Sequence, residues 1–211
     1  MNATGDAAVG DGAIGDGAIG EAAMDRIFRE ARTHNAWQDR PVDEADLRAL
    51  YDLMKFGPTS ANCCPARILF LVSSAAKERL RPHLIEGNVD KTMAAPVTAV
   101  IGYDTLFYEK IPQLFPHNPG ARDWFAGEEK TGNVTAFRNG TLQGGYFIIA
   151  ARAVGLDCGP MSGFDNEGVD REFWPDGRIR SNFLCNLGYG DPSALFPRSP
   201  RLAFGEACEV L

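Results

Sequence analysis

Only three stretches of this chain read as strands, and they lie far apart. ARILFLVS at 66–73 and PVTAVIGYD at 96–104 are short apolar runs, and SNFLCNLGYG at 181–190 is the third. A sheet built from them must close across long intervening segments. Those segments carry mainly helical patterns, so the fold class is α+β.

The helical patterns can be placed in order. Ala23, Ile27, Phe28 and Ala31 fit one face of a helix that ends near ARTHNAW. Asp43 is positioned to cap DEADLRALYDLMKFG, with Leu47, Leu50, Tyr51 and Met54 on its apolar face, and Gly57-Pro58 stops it. SAAKERLRPHL reads as a short helix with Ser74 as its cap, and GNVDKTMAA as another. Thr135 to Val154 is the longest helical pattern. It contains Gly140, Gly144 and Gly145, which cost roughly 1 kcal/mol each in a helix and make sense if another backbone packs closely there. GLDCGPMSGFD reads as a turn with a short extended piece, and FDNEGVDREFW opens a further helix. The segment 104–133 is broken by Pro112, Pro116 and Pro119. It interleaves Phe107, Tyr108, Phe115, Trp124 and Phe125, as either a lid or a packed irregular excursion would.

Residues 1–20 hold GDGAIGDGAIG, a near-perfect tandem repeat that matches GxGxxG twice, at Gly10–Gly15 and Gly15–Gly20. A dinucleotide fingerprint must follow a strand and open a helix, and no apolar strand precedes this one. It reads as a flexible low-complexity tail, with one domain over 21–211.

Bulk properties exclude several functions. A formal net charge of −7 is a poor match to a phosphate backbone, so no nucleic-acid partner is expected. There is no apolar run of about 18 residues and no basic-then-apolar leader, so no membrane span is expected and the cytoplasm is the default compartment. The five cysteines, Cys63, Cys64, Cys158, Cys185 and Cys208, form no CxxC, and His34, His83 and His117 pair with none of them. No metal site is expected.

Five segments stand out for polar groups on turns and helix ends. ARTHNAW carries Arg32 and Thr33, and GPTSANCCPAR carries Thr59, Ser60 and Asn62 behind Pro58. EGNVDKT spaces Asn88 and Lys91 three apart, on one helical face. CGPMSGFD offers an approachable backbone at Gly163, and PRSPRL holds Arg198 and Arg201. In this order, from about Glu21 onward, they resemble the nitroreductase family of FMN-dependent oxidoreductases. The resemblance implies a nitroreductase-like fold, with a central, mostly antiparallel sheet flanked by helices, in an intertwined homodimer. It implies FMN as cofactor and NADH or NADPH as reductant.

Residue by residue, the resemblance puts Arg32 and Thr33 at the FMN phosphate and ribityl chain, with Asn35 where the family commonly has a basic residue. Pro58, Thr59, Ser60 and Asn62 match the loop that reaches the flavin held mainly by the other subunit. Asn88 and Lys91 match the pair at the pyrimidine end of the ring, where a cation supports negative charge at N1. Pro160, Met161, Ser162 and Gly163 match the turn whose backbone N–H groups approach N5. Arg201 matches the C-terminal phosphate clamp, and Arg198 stands beside it at a spacing that differs from the family's Lys-x-Arg. The flavin carries the chemistry, so no catalytic side chain is expected, and Cys63 and Cys64 would sit in the flavin-facing loop without redox work.

Further strings, among them RTHNAW, MKFGPTSANCCPAR, FYEKIPQLFPH and NLGYGD, resemble the branch of the family that reduces malonic semialdehyde to 3-hydroxypropionate in pyrimidine degradation. That implies a ping-pong hydride transfer and a small anionic aldehyde as substrate. A cation near the flavin would hold its carboxylate, and Arg122 and Arg138 flank the aromatic segment. The same residues also suit a broad nitro, quinone or flavin reductase, or a flavin-binding protein without catalysis.

Overall fold

The computed structural model describes residues 17–211, so the glycine repeat of the expected tail lies outside the described residues up to position 16. The elements follow in the order α1 (Glu21–Met24), α2 (Glu44–Met54), β1 (Ala66–Leu71), α3 (Ser74–Leu80), α4 (Glu86–Ala94), β2 (Val97–Asp104), α5 (Ile111–Leu114), α6 (Asp123–Ala126), α7 (Glu129–Ala153), β3 (Asp157–Met161), α8 (Asn166–Phe173), β4 (Ile179–Gly188) and α9 (Phe204–Ala207). The strands form one fully antiparallel sheet in the order β1-β2-β4-β3.

Strand alternation divides the core. On β2, Val97, Ala99 and Ile101 face Leu47, Leu50 and Met54 of α2 and Phe147, Ala150 and Ala151 of α7. Val100 points the other way, into a cluster with Leu80 of α3, Val169 of α8 and Trp174. Helices therefore cover both faces, which explains why β2 reads as an unbroken apolar run. The β2–β4 register slips by one residue between Ile101 and Gly102, a bulge that leaves Asn182 unpaired. A methyl at Gly102 would lie 2.8 Å from the Trp174 ring and 2.9 Å from the Arg180 carbonyl.

Several expectations are corrected. DCGPM (Asp157–Met161) is an edge strand, β3, and β4 starts at Ile179. Pro160 fits there because β3 lies at the sheet edge, where a missing N–H is tolerated. Ser73, not Ser74, caps α3, its Oγ accepting from the Ala76 N–H at 3.1 Å. Asp43 stands at the N-terminus of α2 but makes no side-chain cap bond. The first helix is short: α1 gives way to a wider π-helical turn over Asp25–Arg29, and Phe28 is exposed. Tyr51 is exposed too, while Leu47, Leu50 and Met54 are buried. The long helix begins at Glu129, six residues early. Its glycines meet side chains of the sheet rather than another helix backbone. A methyl would lie 2.8 Å from Tyr103 Cβ at Gly140 and 2.4 Å from Phe183 Cε1 at Gly144, while Gly145 faces open space.

The 104–133 segment is packed, not loose. Phe107, Ile111, Ala121 and Phe125 bury themselves with Cys63 and Ala136 in a third cluster. Its base is clamped by Asp104, which is 2% exposed and accepts from Arg67 at 2.8 Å and from Arg178 at 2.9 and 3.0 Å. Among the described residues no helix is long and apolar enough to cross a membrane.

Candidate functional site

The sequence-marked residues gather at two places. The first is the outer edge of β3. There the chain after the π-turn runs alongside the strand: Thr33 bridges Cys158 in parallel, and the His34 N–H donates to the Cys158 carbonyl at 2.9 Å. This leaves Thr33 exposed and turns His34 inward over Gly190. Among the described residues His34 Nδ1 has no hydrogen-bond partner, while Nε2 lies 3.9 Å from Asp157.

Beyond β3 the backbone of Ser162–Gly163 meets the start of α4. Asn88 Nδ2 donates to the Gly163 carbonyl at 2.8 Å, and the Ile85 N–H reaches the same oxygen at 3.3 Å. Only glycine fits: a methyl at Gly163 would lie 2.3 Å from Ile85 Cδ1 and 2.7 Å from Asn88 Nδ2. One turn on, Lys91 is half-buried, and none of the ion pairs among the described residues includes its ammonium. Its carbonyl accepts from Trp37 Nε1 and Asn186 Nδ2, both at 3.2 Å. Thr92 lies against Met161 Sδ at 3.6 Å. The C-terminal end of α4 rests on buried Lys77, whose ammonium donates to the carbonyls of Met93 (2.8 Å) and Ala95 (2.6 Å). A cation there also complements the helix dipole, although burial pushes the Lys77 pKa down.

The C-terminal strap completes this edge. Arg32 donates to the Phe196 carbonyl, and Arg198 donates to the carbonyls of Arg29 (2.7 Å) and Ala31 (3.2 Å). Two guanidinium groups are thereby tethered to one stretch of chain, each with further N–H groups to spare. Arg201 is exposed and among the described residues bonds to the Ser199 and Pro200 carbonyls alone, so no contact there brings it to Arg32. Asn35 lies half-buried on the same segment.

The second place is the loop after α2. Ala61, Asn62 and Cys64 all have positive φ (48°, 50° and 39°), a concentration of left-handed backbone in non-glycine residues that needs outside support. One face of α7 supplies it. Asn139 Oδ1 accepts from the Ser60 N–H (2.9 Å), Gln143 Oε1 accepts from the Ala66 N–H (2.8 Å), and the Tyr146 hydroxyl donates to the Pro58 carbonyl (3.1 Å). Gly57 lies under the Tyr146 ring, where a methyl would fall 2.1 Å from Cδ2. Asn62 Nδ2 ties the loop to the aromatic excursion through the Leu114 carbonyl at 2.8 Å. These supports escaped the sequence reading, although polar residues at 139, 143 and 146 follow the i, i+4, i+7 spacing of one helix face.

The two adjacent cysteines part company here. Cys64 stays with the polar loop, its Sγ 3.4 Å from Asn62 Oδ1 and 3.7 Å from Thr59 Oγ1. Cys63 instead turns into the third apolar cluster and is 1% exposed, which corrects its expected place facing the cofactor. Burial pushes its thiol up to about 11, so it is protonated and inert near neutrality. Among the described residues no cluster of His, Cys, Asp and Glu is arranged to hold a metal ion.

No hydrogen bond among the described residues joins the 58–62 loop to α4, to 160–163 or to Arg32. The β3 edge offers arginines suited to a phosphate, a free ammonium, an amide and approachable backbone; that donor set fits FMN.

Comparison with known proteins agrees with this architecture. The sequence pattern described as the nitroreductase family matches residues 28–189. A protein of Cupriavidus pinatubonensis, provisionally named an NADH dehydrogenase/NAD(P)H nitroreductase, is 61% identical over 189 residues, covering 89% of this chain and 96% of its own length. A Ralstonia pickettii protein with the same provisional description is 61% identical over 190 residues, covering 89% of this chain and 97% of its own. Among solved structures, a Bacillus subtilis nitroreductase superposes with a TM-score of 0.79 at 19% identity, over 90% of this chain and 99% of that one. An Exiguobacterium sibiricum nitroreductase in complex with FMN superposes at 0.78 with 15% identity, over 89% and 96%. The fold, the matched residues and the relatives coincide, and the chain belongs to the nitroreductase family of NAD(P)H oxidoreductases.

Proposed function

We propose that the protein is an FMN-dependent NAD(P)H oxidoreductase that reduces malonic semialdehyde to 3-hydroxypropionate in pyrimidine degradation. The flavin assignment is supported by the placement of these groups on segments tied to β3 and the turn after it: Arg32 and Arg198 beside the Thr33–Cys158 bridge, and the Asn88–Gly163 pair with Lys91 one turn on, whose ammonium has no ion pair among the described residues. The aldehyde assignment is supported by the strings running from RTHNAW to NLGYGD.

When bound, FMN supplies two-electron chemistry at N5, taking hydride from the nicotinamide and giving it to the acceptor. In balance, NAD(P)H, the aldehyde and one proton become NAD(P)+ and the alcohol. Arg32 and Arg198 would hold the phosphate, with Thr33 and Asn35 beside them and Arg201 on the same C-terminal strap as Arg198. Asn88 fixes the turn at Gly163, so that the backbone of Pro160, Met161, Ser162 and Gly163 would present a fixed edge to the ring. Lys91 would support negative charge at the pyrimidine end of the ring. Pro58, Thr59, Ser60 and Asn62 complete the site of a second subunit, which makes the working unit a homodimer with shared sites.

Acceptor competition tests the reading. Purified holoenzyme is supplied with NADH or NADPH and either malonic semialdehyde, a quinone, a nitroarene or free flavin. The aldehyde should have the highest kcat/KM. The names of the relatives point to nitro reduction, and faster turnover of nitroarene, quinone or free flavin would make the protein a broad reductase instead. Failure of NAD(P)H to bleach the bound flavin under anaerobic conditions would leave only a flavin-binding role.

A further inference from the structure

A cavity of about 840 Å³ opens between α2, the 58–64 loop, β1 and the start of α5. Asn62, Cys64, Arg67, Lys110, Leu114 and Gln143 are among its walls. The chain carries 28 acidic residues against 21 basic ones, yet no Asp or Glu lines this cavity, while Lys55, Arg67 and Lys110 do. Two of these cations are already engaged. Lys55 pairs with Asp52 at 2.5 Å. Arg67 pairs with buried Asp104 at 2.8 Å and donates to the carbonyls of Cys64 and Ala66 at 3.1 and 2.9 Å. Lys110 is different: it is exposed at the mouth of the cavity, and none of the ion pairs or side-chain hydrogen bonds among the described residues involves its ammonium. Its backbone is nevertheless held, because Phe107 before it and Ile111 after it are fully buried. Asn62, on the left-handed loop, is bonded to the same turn at Leu114.

We propose that this cavity, walled by β1 at the sheet edge opposite β3, is the substrate pocket beside the flavin of a second subunit, that Lys110 holds the substrate carboxylate there, and that the pocket takes short aldehydes bearing a carboxylate. The proposal rests on the aldehyde-reductase reading above and on the shared-site homodimer proposed with it. A fixed turn with one uncompensated ammonium, in a wall without acids, favours an anion and disfavours a neutral aldehyde of equal length. Lys110 touches the carboxylate end only, so it sets specificity and takes no part in hydride transfer. Arg122 and Arg138 do not serve this cavity. Arg122 pairs with Asp123 at 3.0 Å, and Arg138 lies on the exposed face of α7 beside Val134 and Phe137.

The test uses flavin-loaded parent, Lys110→Met and Lys110→Arg proteins with two readouts. The first is calorimetric titration of the oxidised holoenzyme with malonate. The second is the ratio of kcat/KM for malonic semialdehyde to that for propanal. Replacement by Met should weaken malonate binding and lower the ratio by about 10- to 100-fold, as loss of a charge-assisted bond does. Arginine should restore most of both, and added salt should erode the advantage of the parent. Equal malonate affinity in parent and Met variant, or no malonate binding by the parent, overturns the subsite. Lys110-dependent malonate binding in a protein that turns over neither aldehyde keeps the subsite and removes the aldehyde reading. An unchanged ratio with brisk semialdehyde turnover does the reverse. Flavin content measured on each variant excludes misfolding, and the Arg variant carries the test if the Met variant is unstable.

Discussion

The side-chain amide of Asn88 donates to the carbonyl oxygen of Gly163 at 2.8 Å, joining α4 to the turn after β3 across 75 positions of sequence. Both partners are constrained. Asn88 is buried, and Gly163 has no room for a methyl. Asn88→Ala should cost about 1–3 kcal/mol by leaving the carbonyl underpaired, and Gly163→Ala a similar amount by overpacking. Urea unfolding with FMN retention measured in parallel checks this, and retention should fall in both variants.

Lys91 should matter for reduction more than for binding. Lys91→Met leaves Arg32 and Arg198 in place, so FMN affinity should change by less than about threefold, while the rate of flavin reduction by NAD(P)H should fall by about tenfold or more. Stopped-flow bleaching compared with equilibrium flavin titration separates the two. Equal reduction rates in variant and parent would reject the role.

Asp104 holds two arginines from β1 and from the loop before β4, and accepts the Leu106 N–H at 2.9 Å. Removing it leaves both guanidinium groups beside a buried, uncharged gap. Asp104→Ala should destabilise by about 1–3 kcal/mol, because both arginines are partly exposed and Arg178 keeps Glu109, and should loosen the 104–133 excursion. Denaturant midpoints and protease sensitivity of that segment are the readouts.

Cys63 makes stability depend on alkaline pH. Its thiol has an ordinary value of 9.0 and is pushed up to about 11 by burial. A group whose folded value is raised contributes stability that is fully present below 9.0 and is lost as pH climbs through about 11. The loss should approach about 3 kcal/mol. Cys63→Ala should be less stable at pH 7, because it leaves a small cavity. It should also show a shallower decline between pH 9 and 11. Cys185 is raised too, by its neighbour Cys158 and by burial, so the slope is read as the difference between variant and parent.

The long-range layout was legible where local signals and burial agree. Leu47, Leu50 and Met54, though not Tyr51, marked the buried face of α2, and the apolar run at 96–104 marked β2 as a buried strand. β3 was not legible, because Gly159-Pro160 reads as a turn and only an edge position tolerates it as strand. At the site, the polar loops announced themselves by residue type. What holds them did not: Asn139, Gln143 and Tyr146 lie 77 to 88 positions from their partners. Adjacent Cys63 and Cys64 looked equivalent, and a reversal of backbone sign at Cys64 sends their side chains to different environments. Arg122 and Arg138 drew attention by their charge, whereas Lys110 is singled out by the acid-free cavity it lines.

The visible absorption spectrum of the purified protein, with the released chromophore identified, tests the central claim most directly. The account predicts a yellow protein carrying about one FMN per chain, bleached on anaerobic addition of NAD(P)H. A colourless protein that also refuses added FMN would mean that Arg32, Asn88, Lys91 and Arg198 do not form a flavin site, and would contradict it.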